Sequence, residues 1–216
     1  MTNVEAHEFG GVRLPDSRMA REAAELVRGI VDELLWNHSH RVFLFGALRT
    51  EGLGRPADRE LLYVGALFHD VGLVEGHRSD DLRFEVDGAN AAAAFLAEHG
   101  VGERDVEKVW DAVALHTTPG IPEHKSPEVA GVTYGVELDV LGLGFDDVDA
   151  AVRDEIVRAY PRPDFKRQIV EAFGAGIAHK PETAFGNVKA DVLERTLPGY
   201  VRPNFCTMIE RSPWPE

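Results

Sequence analysis

Two adjacent residues, His69 and Asp70, end the apolar run LLYVGALFHD just before Gly72. An imidazole nitrogen beside a carboxylate oxygen is a donor pair suited to Zn, Mn or Fe(II). Neighbouring side chains on a helix diverge by about 100°, so these two converge only near a helix end or around an ion beside the axis. The pair also fits a plainer role, with the histidine capping a helix C-terminus and the aspartate capping the turn after it. Two other positions bear on the choice. His38 opens HSHRV at 38–42, and Asp139 interrupts an apolar stretch within GVELDVLG. A carboxylate buried there is costly unless it is paired or holds a cation; otherwise it is an exposed polar position, or a salt-bridge partner of Arg41. His116, in ALHTT, reads either as a helix C-cap beside the TTPG turn or as a group with chemistry to do. His7, His77, His99, His124 and His179 have no comparable context and read as surface residues.

Helices must carry these side chains. Asp16 or Ser17 caps a helix reaching Trp36, along which Ala20, Ala23, Ala24, Val27, Ile30, Val31, Leu34 and Leu35 recur at helical spacing. His38–Leu48 reads as a buried helix, EGLGRPADR as a turn, and Glu60–His69 as a core helix stopped by Gly72. After the polar loop 75–83, helices are predicted over Phe84–His99 and Asp105–His116. The loop TTPGIPEHKSP follows, then helices over Val129–Leu141 and Asp147–Tyr160. Residues 1–15 form an arm broken by Gly10, Gly11 and Pro15. Residues 161–216 form an extension packed on the body, with helices around Phe165–Ile177 and Asn187–Arg195 and an irregular end. Trp36 and Trp110 sit at core spacing, and Trp214 belongs to tail packing. No stretch longer than a few residues alternates with period two, so the fold class is all-α, with one domain over 1–216.

The bulk numbers narrow the partners. The chain has 216 residues, 44% hydrophobic and 28% charged, and a formal net charge of −14. That surface repels a phosphate backbone and argues against duplex nucleic acid, although a bound cation reverses the potential locally. The single cysteine, Cys206, allows no intramolecular disulfide and fits a reducing compartment. The N-terminal residues lack the pattern of a signal peptide, and no apolar run approaches a membrane span. The expectation is a cytoplasmic protein with a small-molecule substrate, no membrane partner and room for a homodimer.

The order His…His-Asp…Asp, with these local sequences, resembles the HD superfamily of metal-dependent hydrolases, which implies an HD-domain helical bundle. HSHRV looks like that family's first motif, a histidine followed four residues later by valine, and this selects His38 over His40. FHDVGL resembles the defining doublet, and Asp139 matches the final aspartate. The resemblance covers roughly residues 20–145 and implies one divalent cation held by His38, His69, Asp70 and Asp139, zinc first, with iron, manganese or nickel also accommodated. Many phosphohydrolases of the superfamily carry a lysine or glutamate soon after the doublet; here Val71, Gly72, Leu73 and Val74 stand there. Dinuclear members place a histidine four residues before a Gly-Ala pair, where this chain has Phe84 before Gly88-Ala89. His116 does match a second-metal histidine of those members. With Phe84 in place the resemblance implies one metal, leaving His116 to meet substrate or water.

RFEVDGANAAAAFL, the ALHTTPGIP loop and the ELDVLG helix are together similar to the cyanamide hydratase branch. The implied reaction is attack of a metal-activated water on a small, uncharged nitrile- or amide-like carbon. Asp70 would ligate and receive the water's proton, and His116 would supply the proton needed by nitrogen. Phe84 and Glu85 would meet the substrate, with Asp87 a weaker candidate beside them. Arg41 would hold a ligand carboxylate from outside. The alternative is a nucleotide or phosphomonoester phosphohydrolase, for which Arg78, Arg83 and Lys125 are the available phosphate clamps. A non-catalytic module with a structural metal ranks last, because the chain lacks the thiolates such zinc sites favour.

Overall fold

The arm before the first helix doubles back through Gly10 and Gly11 as a hairpin of β1 (Glu8–Phe9) and β2 (Val12–Arg13), which pairs Phe9 with Val12. Both of those side chains are buried, so the arm is pinned to the body. The computed structural model describes residues 8–184, 186 and 188–215, and is 65% helical. Among the described residues this hairpin is the only sheet, in agreement with an all-α reading.

The first helices break where capping chemistry places the break. Ser17 accepts from the Ala20 amide and starts α1 (Arg18–Arg28), and the Gly29 amide closes it on carbonyls of the last turn. Asp32 then accepts from the Leu35 amide and starts α2 (Glu33–Gly52). The sequence reading carried the first helix through to Trp36 and began another at His38. In the structure the interruption lies at 29–32, and Trp36, His38 and Arg41 ride on one continuous helix.

Asp58 caps α3 (Arg59–Phe68), which ends on His69; a 3-10 turn, Val71–Leu73, follows. The helices α4 (Phe84–Glu98) and α5 (Glu103–Leu115) lie against each other, and α5 ends on His116. Next, α6 (Pro127–Val136) runs directly into a π-helical turn, Glu137–Leu141. Asp149 caps α7 (Ala150–Ala159). The C-terminal segment adds α8 (Phe165–Ile177), α9 (Val188–Thr196) and α10 (Phe205–Glu210). The sequence reading left α10 as irregular tail, and its Asn187 start for α9 falls on a residue outside those described.

The core forms where α2, α3, α5 and α6 meet, with α2 against α6 as its most extensive contact. That contact is close because it has glycines at the crossing. A Cβ on Gly46 would stand 2.2 Å from the Gly131 carbonyl oxygen, and one on Gly135 would stand 2.0 Å from that of Val42. The approach brings the start of α2 beside the turn after α6, which is how residues 38 and 139 meet. On the other side α8 lies over the Val71–Leu73 turn that follows the doublet. Trp214 belongs to this core: it is buried, donates to the Leu138 carbonyl at 2.7 Å, and lies against Phe45 and Phe145.

Candidate metal centre

Three histidines enter one buried space with their rings fixed the same way round. His69 ends α3, and its Nδ1 lies 2.7 Å from the Ala66 carbonyl oxygen. His116 ends α5, with Nδ1 2.6 Å from the Val113 carbonyl oxygen. His38, on α2, has Nδ1 2.6 Å from Asp139 Oδ2. In each ring Nδ1–H donates to an oxygen, which leaves the Nε2 lone pair as a ligand.

All three Nε2 atoms stand around the carboxylate of Asp70. His69 Nε2 is 3.1 Å and His38 Nε2 3.7 Å from Asp70 Oδ2, and His116 Nε2 is 3.6 Å from Oδ1. Donors ~2.1 Å from a shared tetrahedral cation lie about 3.4 Å apart, so this spacing suits one. Ligand atoms of His38, His69 and Asp70 all fall within 4.8 Å of one another, forming a candidate metal group. His116 sits outside that group, on the opposite oxygen of Asp70.

A second observation tests the fit. His69 Nε2, His116 Nε2 and both oxygens of Asp70 are buried without a hydrogen-bond partner. Such orphans cost roughly 1–3 kcal/mol each, more when charged; a cation among His38, His69 and Asp70 satisfies His69 Nε2 and the Asp70 oxygen facing it, and leaves His116 Nε2 beside Asp70 Oδ1. Burial pushes the Asp70 carboxyl up, but the facing His69, His116 and His38 rings overcome this and hold it well below the usual range. Burial also works against protonation of His69, and the Asp70 carboxylate outweighs it, raising that ring. Burial dominates at His38 and lowers it.

Asp139 is placed differently from the ligand role implied by the resemblance. Both its oxygens are taken: Arg41 Nε donates to Oδ1 at 2.8 Å, and Arg41 Nη2 to Oδ2 at 2.9 Å. Oδ2 also receives His38 Nδ1, on the side of the ring away from Asp70. The carboxylate therefore stands behind His38 and outside the candidate group. Its acidity agrees: burial opposes ionisation, and Arg41, Arg162 and His38 together hold it far below the usual range. Arg41 is fully buried and also donates to the carbonyls of Tyr160 and Pro161 at 3.0 Å. It is the salt-bridge partner considered for Asp139.

Phe84 is buried, with its ring 5.6 Å from that of His116 and edge-on to it. Glu85 is turned toward the loop after His116, where it accepts from Arg83 Nη2 at 2.5 Å and from the Thr117 hydroxyl. Asp87 faces away, accepting from the Ser79 amide at 3.0 Å and from Lys180 at 2.8 Å. The three cations considered as phosphate clamps are all engaged: Arg78 with the Ala175 carbonyl, Arg83 with Glu85, and Lys125 with Asp111.

Sequence reasoning missed two neighbours of the centre and two buried groups further from it. Phe165 holds its ring 5.3 Å from His38 and lies under the guanidinium groups of Arg41 and Arg162. Arg162 donates to the Asp139 carbonyl at 2.8 Å. Lys180 is fully buried on Asp87. His40, passed over in the motif, is a core residue stacked on Tyr160 and hydrogen-bonded to Tyr63. The prolines flanking Arg162 in PRPDF are the one local signal that could have drawn attention to it; nothing in the spacing pointed to Lys180 or His40.

Comparison with known families gives one match: the HD domain model aligns with residues 35–154, more than half the chain. No curated protein matches the chain.

Proposed function

The chain belongs to the HD-domain family, and on that premise we propose that it is a metal-dependent hydratase or hydrolase of a small, uncharged nitrile- or amide-like substrate, as in the cyanamide hydratase branch. HD-domain proteins are generally metal-dependent hydrolases, phosphohydrolases among them. The observation that carries the reading is the group of buried atoms without partners, Nε2 of His69 and of His116 and both oxygens of Asp70. Among the described residues, the Phe84 ring lies against His116 and the Phe165 ring against His38.

His38, His69 and Asp70 would hold the cation, which supplies Lewis acidity and lowers the pKa of water. Asp139 is a positioning residue in this scheme: it fixes the His38 ring through Nδ1, and Arg41 fixes Asp139. His116 has Nδ1 committed to the Val113 carbonyl and Nε2 open beside Asp70 Oδ1, so it can hold or deliver a proton at that atom. Hydration of a nitrile needs such a delivery, because nitrogen gains a proton as oxygen bonds to carbon. Phe84 and Phe165 exclude water around these groups, and Glu85 orders the Thr117 loop.

A phosphomonoester would need an available cationic clamp, and the pairing of Arg78, Arg83 and Lys125 weighs against one. The test is elemental analysis of the purified protein, followed by assays with cyanamide, simple nitriles and a panel of nucleoside monophosphates. Bound metal with cyanamide or nitrile hydration supports the proposal. Turnover of the nucleotides with silence on the nitriles overturns it in favour of a phosphohydrolase, and metal without any turnover overturns it in favour of a structural site.

A further inference from the structure

The metal centre is closed to solution. His38, His69, Asp70 and His116 are each at most 3% exposed, and Phe84 beside His116 is buried as well. A cation and a substrate must both pass this wall, so part of it moves. Most of the wall is fixed. The helices α2, α3 and α5 carry the candidate groups themselves and pack on one another in the core. The turn after α6 holds Asp139 against Arg41. Helix α4 is seated closely, since a Cβ on Gly88 would stand 2.7 Å from the Phe68 carbonyl oxygen. The other described element whose side chains touch these rings is α8.

The two halves of α8 are held by different means. In the first, Phe165 and Ile169 are buried in the core, and Phe165 lies against His38. In the second, Phe173 is half-buried, with its ring 5.3 Å from that of Phe84 and edge-on to it, and Phe84 in turn stands edge-on to His116. The other ring contact of Phe173 is with Phe205 of α10, itself exposed, at 5.9 Å. Gly174 and Gly176 fall in the last turn, where glycine weakens a helix through the backbone freedom it gives up. Polar contacts fasten this half to the loop 75–83 and the start of α4. Arg78 donates to the Ala175 carbonyl at 2.7 Å, and Lys180 donates to Asp87 at 2.8 Å and to the Ser79 carbonyl at 3.0 Å. His179 Nε2 lies 3.2 Å from that same Ser79 oxygen.

We propose that the C-terminal half of α8, with the 3-10 turn Pro181–Ala184 after it, is a gate to the metal centre. When the Lys180 latch opens, this half lifts from the Val71–Leu73 turn, takes Phe173 off Phe84, and gives an entering molecule access to the His116 side of Asp70. Closed, it excludes water from that side. The inference rests on the centre's holding a cation and is indifferent to which reaction follows there.

A disulfide can lock this half in place. A Cβ on Gly176 would stand 3.0 Å from Leu73 Cβ, so a bridge, whose Cβ atoms lie ~3.5–4.5 Å apart, needs only a small adjustment. L73C/G176C is made together with C206S, which removes the chain's one natural thiol, and is loaded with zinc. The oxidised protein is expected to release zinc to a chelator at least ~10-fold more slowly than the same protein after reduction. The second measurement uses metal-free L73C/C206S and a thiol reagent at increasing urea. Leu73 is 5% exposed beneath Gly176, so labelling reports opening. The expected rate responds little to urea, as for a local opening, and rises ~100-fold or more when K180M is added, because the latch is then unpaired. Equal zinc release by the oxidised and reduced forms overturns the gate. So does labelling that follows urea as steeply as global unfolding, or labelling that K180M leaves unchanged. A protein that takes up no zinc overturns the metal reading instead, and the metal-free labelling then decides by itself whether this half of α8 opens.

Discussion

Replacing Asp139 by asparagine keeps the side chain's size and removes its charge, which separates a residue that positions a ligand from one that is a ligand. Arg41 makes four hydrogen bonds, two to Asp139 at 2.8 and 2.9 Å and two to the Tyr160 and Pro161 carbonyls at 3.0 Å. Asp139→Asn turns an amide N–H₂ toward those donors and leaves the guanidinium charge buried. Breaking a buried pair from one side costs ~3–5 kcal/mol; because two carbonyl acceptors remain, the lower end, about 3 kcal/mol, is expected. His38 loses its anionic partner at Nδ1 but keeps Nε2. Loss of such an outer partner weakens metal binding about 10- to 100-fold, equivalent to ~1.4–2.7 kcal/mol. Asp70→Asn, at the carboxylate that faces all three rings, should remove measurable binding. The assay is competition with a chromophoric chelator, run on metal-free variants whose stability is known from urea titration. If D139N binds as poorly as D70N, Asp139 is itself a ligand and the placement behind His38 is wrong. If D139N binds as tightly as the wild type, the His38–Asp139 bond positions nothing.

Three further outcomes follow from the same geometry. His116→Asn should keep its full metal content, because His116 lies outside the His38–His69–Asp70 group, while turnover falls ~100-fold or more; loss of the metal would make it a ligand. Lys180→Met strands the buried Asp87 carboxylate and should cost about 3 kcal/mol in urea titration, and a cost under ~1 kcal/mol would deny that the pair is buried in solution. Burial pushes the His40 ring down to about 4. Between pH 6.5 and 4 the unfolded chain therefore binds a proton there that the folded chain does not. This contribution to stability is full above 6.5 and is lost as pH falls through that window, by up to ~3 kcal/mol. An NMR titration giving His40 an ordinary pKa refutes it.

How legible the site was depended on how local its determinants are. The helices of the first two-thirds announced themselves through apolar spacing and caps, and the histidines at their ends through position. Asp139 was visible as a carboxylate in an apolar stretch, and both explanations of it, cation or arginine, were open. The structure pairs it with Arg41, across the α2–α6 contact where Gly46 and Gly135 allow the close approach. No reading of a single segment contains that distance. Lys180 and Asp87 lie 93 positions apart and meet only because the chain after α8 returns beside the turn that follows the doublet. His40 was discounted because the motif favoured His38. Two residues along a helix is about 200°, so the two histidines had to serve opposite sides.

The two readings open for His69, helix cap or ligand, and for His116, helix cap or a group with chemistry to do, are compatible in this geometry. Each histidine caps its helix with Nδ1, bonding the carbonyl three residues earlier, and thereby turns Nε2 toward Asp70. Capping selects the tautomer that ligation needs and holds the ring at no further entropic cost. It also points two helix C-termini, with their partial negative charge, at the place where a cation would sit. Asp139 does for His38, which lies within a helix and has no end to cap, what a backbone carbonyl does for the other two. A carboxylate is the stronger acceptor, and at a mid-helix position only a side chain from another element can supply one. On this account the doublet works because the helix stops there, and lengthening α3 or α5 by a single turn would unmake the centre without touching a ligand.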